Sequence, residues 1–234
     1  METLSIITPI IFILTTFITV FIFWKATEKS MLFLIIVISW LALQTIAGLN
    51  GFYKITDTAP PRFILLAGPP VLFIIILFFS KKGRAFIDGL NIRWLTILHT
   101  IRIPVEIVLF MLLLQKLVPG IMTFEGRNLD ILSGITAPLV YYFTFIKARI
   151  NSKLLIAWNL ICLGLLFNIV TIAVLSAPFP FQRFAFDQPD IALLSFPFVW
   201  LPCCVVPLVF FSHLVSLRQL LIKTDRQFAA RSLA

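Results

Sequence analysis

Apolar residues in this chain run on in blocks instead of alternating with polar ones. Seven blocks stand out, at roughly 4–24, 31–53, 62–80, 94–118, 129–146, 154–176 and 190–216. Runs of about 18 or more largely apolar residues read as transmembrane helices. A membrane barrel would show segments of about ten residues alternating inside and outside, and none appear. The pattern predicts an all-α, polytopic membrane protein: seven transmembrane helices in a single domain over 1–234, joined by short connections. The opening stretch METLSIITPIIFILTTFITVFIFWK has no basic residue ahead of its apolar run and reads as a retained first span.

Basic residues set the orientation. Connections one, three and five and the C-terminal tail carry 13 Lys and Arg, among them Lys25, Lys81, Lys82, Arg84, Arg149, Lys223, Arg226 and Arg231. The opposite connections carry five: Lys54, Arg62, Lys116, Arg127 and Arg183. The positive-inside rule then puts the N-terminus outside and the C-terminus in the cytoplasm. The composition agrees, at 60% hydrophobic and only 12% charged. The net charge of +9 follows from this topology and does not indicate nucleic-acid binding. The tail SLRQLLIKTDRQFAARSLA is basic and weakly amphipathic, suited to an anionic leaflet. The expected setting is a bacterial cytoplasmic membrane, with lipids as partners, a small-molecule ligand in view, and assembly into an oligomer compatible with the pattern.

Rare residues recur between the two halves. Trp40, Asn50 and Ala59-Pro60 match Trp158, Asn168 and Ala177-Pro178 at one offset, and PRFILLAGPPV resembles PDIALLSFPFV further on, pairing Pro69 with Pro197. Pro9 and Pro138 stand in the first and fifth spans. This suggests a parallel 3+1+3 plan, with repeat units 1–80 and 129–216 and a linker helix at 94–118. Chance alignment of apolar sequence is the alternative.

The fourth span holds the candidate chemistry. In HTIRIPVEIVLF, His99, Arg102 and Glu106 share one helix face. A charge at that depth costs at least about 2.5–3.5 kcal/mol, so the face must turn to protein or water. Three readings stand side by side: a structural Arg102–Glu106 ion pair, a substrate or proton site, and a surface helix over 85–103 ended by Pro104. Asn50, Asn168, Trp40 and Trp158 join the first three as expected ligand-binding residues. Glu125, Arg127, Asn128 and Asp130 form a polar outer connection, which gives a pocket open outward with Arg102 and Glu106 as its floor. His213 reads as interfacial. The three cysteines, Cys162, Cys203 and Cys204, read as packing residues, and with only two histidines neither a metal site nor a cofactor is expected. No lysine lies in the last span to carry a retinal.

The span count and repeat plan resemble the SWEET and PQ-loop sugar carriers in architecture, without their Pro-Gln pair. IPVE at 103–106 is similar to the Pro-x-Glu motif of membrane-bound lycopene cyclases, although Ile107 stands where that family usually has a second acid. RIPVE together with MTFEGRN and DILSG looks like a family of uncharacterised seven-span bacterial membrane proteins. The expected function is a carrier, or a membrane-embedded binding protein, for a small polar or amphipathic molecule. The rivals are an intramembrane enzyme acting on a lipid or isoprenoid, with Glu106 as acid or base, and a non-catalytic membrane subunit.

Overall fold

The structure, a computed structural model, describes residues 2–58 and 60–232, with side chains over 4–58 and 60–222. Ala59 and the side chains of Lys223, Arg226 and Arg231 lie outside that range, and with them the expected leaflet contact of the tail. No strand forms among the described residues. The helices are α1 (Glu2–Ala26), α2 (Met31–Leu49), α3 (Ile64–Phe79), α4 (Lys81–Asp88), α5 (Ile92–Leu98), α6 (Arg102–Leu114), α7 (Ile131–Tyr141), α8 (Ser152–Ser176) and α9 (Val206–Ser232). A 3-10 turn, His99–Ile101, joins α5 to α6, and π-helical turns extend α7 at its end and precede α9.

Five stretches among the described residues are long and apolar enough to cross a membrane: Leu4–Ala26, Met31–Leu49, Ile92–Leu114, Ser152–Ser176 and Leu201–Ile222. Ile131–Ile146 is apolar but shorter, and α3 bends by 94° into α4. The first six expected blocks each coincide with a helix, although the second stops at Leu49 and the fourth at Leu114. The seventh block is displaced. Residues 190–200 are irregular and hold a 3-10 turn at Ala192–Leu194, and regular helix starts only at Leu201. Pro197 accounts for part of the delay, because it lacks the N–H that a continuing helix needs, and Pro202 sits in the first turn of the run that follows, a place where proline can only begin a helix. Residues 92–114 form one helical run, so Pro104 does not divide a surface helix from a span. It follows the 3-10 turn His99–Ile101, where the regular α-helical hydrogen-bond pattern is already interrupted.

Side chains meet the polar needs of an apolar bundle. On α1, the hydroxyls of Thr8, Thr15, Thr16 and Thr19 each donate to the carbonyl four residues back. Pro207 has no N–H to offer the Cys203 carbonyl one turn behind it, and Trp40 Nε1 donates to that carbonyl at 2.9 Å instead. Ser30, Ser80, Asn91 and Asn151 cap the helices that follow them.

The connections sort to two ends. At the basic end, Asn91 N–H donates to the Ala26 carbonyl, Gln219 to the carbonyls of Ile87 and Leu90, and Arg218 forms an ion pair with Asp88 at 2.8 Å. At the other end, Gln115 donates to Thr8, Gln188 to the Val118 carbonyl, and Asn168 to the Arg127 carbonyl. The residues matched between halves fall in unlike local structure. Asn50 is the C-cap of α2 and Asn168 lies within α8; Pro69 lies inside α3 and Pro197 in the irregular stretch before α9.

Asp190 anchors that irregular stretch. Its backbone N–H donates to the Ser176 carbonyl at 2.9 Å, its side chain is buried, and burial pushes its carboxyl up to about 7 against a weak pull down from the Leu193 N–H. An acid whose folded form holds its proton more tightly than the unfolded chain stabilises the fold at low pH and loses that contribution as pH rises through the folded value. Thermal stability is expected to fall between about pH 4 and pH 7 through this residue, and Asp190→Asn to flatten that part of a melting-temperature profile.

Candidate functional site

α6 carries the charged face inward. His99 is 0% exposed, Arg102 3% and Glu106 2%. Arg102 opens α6 directly after the 3-10 turn, and Gly134 of α7 faces it. A Cβ at Gly134 would lie 2.9 Å from Ile103 Cγ1 and 3.0 Å from the Ile103 backbone nitrogen, so glycine lets α7 approach α6 closely. That approach brings Asp130, at the N-terminus of α7, onto the guanidinium.

The contacts differ from the expected Arg102–Glu106 pair. Arg102 Nη1 donates to Asp130 Oδ1 at 2.5 Å and to the Cys162 carbonyl of α8 at 3.3 Å. Arg102 Nη2 lies 2.9 Å from His213 Nε2 of α9. Ser133 Oγ donates to Asp130 Oδ1 at 3.4 Å. Glu106 is met by Asn128, whose Nδ2 donates to Glu106 Oε1 and to the Met122 carbonyl, while Asn128 Oδ1 accepts from the Asp130 N–H. Nearest-turn spacing favours Arg102 with Glu106, but Asp130 offers a carboxylate from a neighbouring helix, and the guanidinium takes that one.

His213 is a second correction. It is 0% exposed, not interfacial, because the late start of the last helix moves it from the end of the expected span to the middle of Leu201–Ile222. Its tautomer follows from its partners. Guanidinium only donates, so Nε2 accepts from Arg102; Nδ1 then carries the proton and donates to Asn159 Oδ1 at 2.9 Å. Asn159 Nδ2 donates to the Leu155 carbonyl, which fixes the amide in that orientation. His213 is therefore neutral in this arrangement. His99 stacks on it with ring centroids 3.9 Å apart and 13° between planes, and Trp158 meets His99 edge-on at 5.5 Å.

Among the described residues, several buried polar atoms of this cluster have no hydrogen-bond partner: both His99 ring nitrogens, Arg102 Nε and Glu106 Oε2. No group of three or more His, Cys, Asp or Glu among the described residues is arranged to hold a metal ion.

The remaining expected site residues separate. Asn128 and Asp130 of the outer connection join the cluster, whereas Glu125 and Arg127 are exposed. Trp158 donates to Thr136 Oγ1 beside the cluster, and Trp40 lies across the molecule on the Cys203 carbonyl. Asn50 and Asn168 are exposed and bond to backbone carbonyls, so they do not line a shared interior pocket. The polar floor expected to open outward is instead closed, with Asp130, Asn128 and Ser133 packed over it.

A larger cavity lies elsewhere. A crevice of about 890 Å³ runs between α2 and α3, with the π-helical turn Leu201–Val205 and α9 as its floor. Phe33, Trp40, Pro69, Phe73, Cys204 and Phe211 are among its lining residues, and Ser30, Ser80 and Lys82 stand at its basic end. α2 and α3 both rest on Leu201–Val205 and make little contact with each other. None of His99, Arg102, Glu106, Asp130 or His213 lines this crevice, nor a smaller outer pocket beside Lys54 and Phe198.

The fold and these two features define an all-helical protein with several helices fit to cross a membrane and a buried ion pair among them. Residues 60–221 match the family described as Domain of unknown function (DUF8737), and the chain belongs to that family. No curated protein and no solved structure matches the chain.

The cluster depends on Arg102 and Asp130 together. Arg102→Leu is expected to cost about 3–5 kcal/mol by leaving a buried carboxylate unpaired, read as loss of thermal stability in detergent. The double variant Arg102→Leu/Asp130→Leu is expected to lose less than that single variant. A double variant as unstable as the sum of both singles contradicts the pairing.

Proposed function

We propose that this chain is an integral membrane protein of seven spans that binds an anionic amphiphile in the crevice between α2 and α3. The observation that carries this reading is the crevice itself: about 890 Å³, almost wholly apolar in its lining, with Lys82 at its basic end. Its volume falls within the range of about 300–1,000 Å³ usual for small-molecule sites. Its long walls suit hydrocarbon chains. Lys82, with Lys81 beside it on α4, complements a phosphate or carboxylate headgroup.

The seven-span reading takes α3, and α7 with its π-helical turn to Ile146, as spans alongside the five longer stretches. A helix of 16 residues is about 24 Å long, short of a hydrocarbon core of about 30 Å. Local thinning of the bilayer accommodates that shortfall at modest cost. Beyond α3, the right-angle turn lays α4 along the interface, with Lys81, Lys82 and Arg84 at headgroup level. The excess of basic residues at that end supports a cytoplasmic C-terminus and an outer N-terminus. Anionic lipid is concentrated in that leaflet, which supplies the occupant where the crevice has its lysine.

Two rival readings have less support. A carrier built on Asn50 and Asn168 needs both in one cavity, and both are exposed. An enzyme acting on the bound amphiphile needs an acid or base at the crevice, and its lining holds neither Glu106 nor His99. Holding the amphiphile is therefore favoured over converting it.

Native mass spectrometry and lipid analysis of the protein purified in mild detergent test the binding. Wild type is expected to retain an anionic phospholipid in preference to zwitterionic lipid. Lys82→Glu is expected to lower that retention at least about tenfold, since each basic group near an anionic surface contributes about 1 kcal/mol and reversal counts twice. Ser39→Trp, which fills the crevice from α2, should exclude it. Equal retention of both lipid types by all three proteins overturns the reading.

Topology has its own test. An N-terminal tag is expected to be reached by a membrane-impermeant label only from outside, and a C-terminal tag only from the cytoplasm. Both tags on one side would contradict an odd number of spans.

A further inference from the structure

Charge does not balance in the buried cluster. Arg102 contributes one positive charge, and Asp130, in contact with it, one negative charge. His213 is neutral by its hydrogen bonds. His99 has no partner for either nitrogen, and an imidazolium there would leave two buried donors unmet. Glu106 is the carboxyl left over. Only the Asn128 amide serves it, at Oε1, and the other hydrogen of that amide goes to the Met122 carbonyl. Oε2 is buried with no partner.

A carboxyl in that position is relieved by a proton, and the geometry says which oxygen takes it. Oε1 accepts from Asn128, so the O–H bond forms at Oε2. The residue that meets the ionised form is also at hand. Arg102 lies one turn before Glu106 on α6, and its Nε–H has no partner. Nε–H and Oε2 are a buried donor and a buried acceptor, both uncommitted, on adjacent turns of one helix face.

We propose that Glu106 is a proton-binding site that exchanges its proton with the outer face, and that its ionised form is held by Arg102 Nε. On uptake, a hydronium ion transfers a proton to Oε2: an O–H bond forms on Glu106, one breaks on hydronium, and water departs. On release the reverse occurs, and Arg102 turns its Nε–H to Oε2 while keeping Asp130 through Nη1. Asn128 belongs to the connection whose neighbouring Arg127 and Glu125 are exposed, which gives exchange its direction.

The groups that face Glu106 are few. Arg102 stands on its own helix, Asp130 and Asn128 at the start of α7 and just before it, Cys162 on α8, and the His99–His213 stack beyond Arg102. α1 packs along α6 and holds no titratable side chain between Glu2 and Lys25. No residue of the cluster lines the crevice, so this inference stands apart from the binding function proposed above.

Infrared difference spectroscopy of the full chain in lipid nanodiscs, recorded across pH, tests the site. A carboxylic-acid C=O band is expected in folded protein. It should shift in D2O, move on labelling glutamate with carbon-13, and lose intensity as pH rises. Glu28 and Glu125 are exposed and do not supply a buried acid. Glu106→Gln keeps the acceptor for Asn128 and is expected to abolish the band. Labelled wild type alone assigns the band to glutamate if that variant fails to fold. Arg102→Lys keeps a positive charge facing Asp130 and removes the Nε–H. It is expected to raise the titration midpoint by about one pH unit or more, a tenfold gain in proton affinity. A merely structural Arg102 would leave that midpoint unmoved. The absence of a glutamate acid band at every pH, its survival in Glu106→Gln, or its failure to titrate before unfolding overturns the proton site. An unmoved midpoint overturns the role of Arg102 Nε.

Discussion

A single guanidinium holds the interior together. From the first turn of α6, Arg102 reaches the N-terminus of α7 through Asp130, the backbone of α8 through the Cys162 carbonyl, and α9 through His213. A charge this deep is tolerated only when protein replaces water around it, and its partners must come from every helix that surrounds it. The choice of neighbours follows. Glycine is required at position 134 for α7 to come close, His213 must stay neutral to accept, and Asn159 must face the ring to fix its proton. Arginine suits this place better than lysine, because its planar fork offers donors in several directions at once.

The inward face of the fourth span is legible from spacing alone, because His99, Arg102 and Glu106 fall on one side of any helix through them. Which carboxylate Arg102 selects is not. Glu106 is the nearer in sequence, and Asp130 stands 28 residues on, in a stretch whose polarity resembles an exposed loop. Choosing between them requires knowing that Gly134 draws α7 inward. The burial of His213 is not legible for a different reason. Its depth depends on where the last helix begins, and hydropathy does not register the delay that Pro197 helps impose. Ser212 and Ser216, both buried beside it, mark a polar seam along α9 that would have suggested a central position. Asn50 and Asn168 show the limit of letter matching: the same residue type caps a helix at one position and reaches across to a loop carbonyl at the other.

Two kinds of interior lie side by side. On one side, α6, α7, α8 and α9 close over a polar cluster in which both His99 nitrogens, Arg102 Nε and Glu106 Oε2 go without a partner among the described residues. On the other, α2 and α3 lean on Leu201–Val205 and leave apolar space between them. α9 belongs to both, with His213 turned to the cluster and Phe211 and Leu208 to the crevice. Prolines gather on the apolar side: Pro69 and Pro70 of α3 and Pro207 of α9 all line the crevice, and the carbonyl that Pro207 leaves open is met by an indole.

The attachment of α2 has a mechanical consequence. Only Leu41, Gln44 and Gly48 of this helix are buried, all in its second half. Trp40 bonds the Cys203 carbonyl there, and Trp200 Nε1 reaches back to Leu41 and Thr45 of α2. The first half is held by apolar contact instead, with Phe33 against Phe23 of α1 at 5.0 Å between ring centroids. α2 is therefore a lever: two indoles pin its second half by directional hydrogen bonds, and widening the crevice from its first half means sliding rings past one another, which costs only dispersion contact.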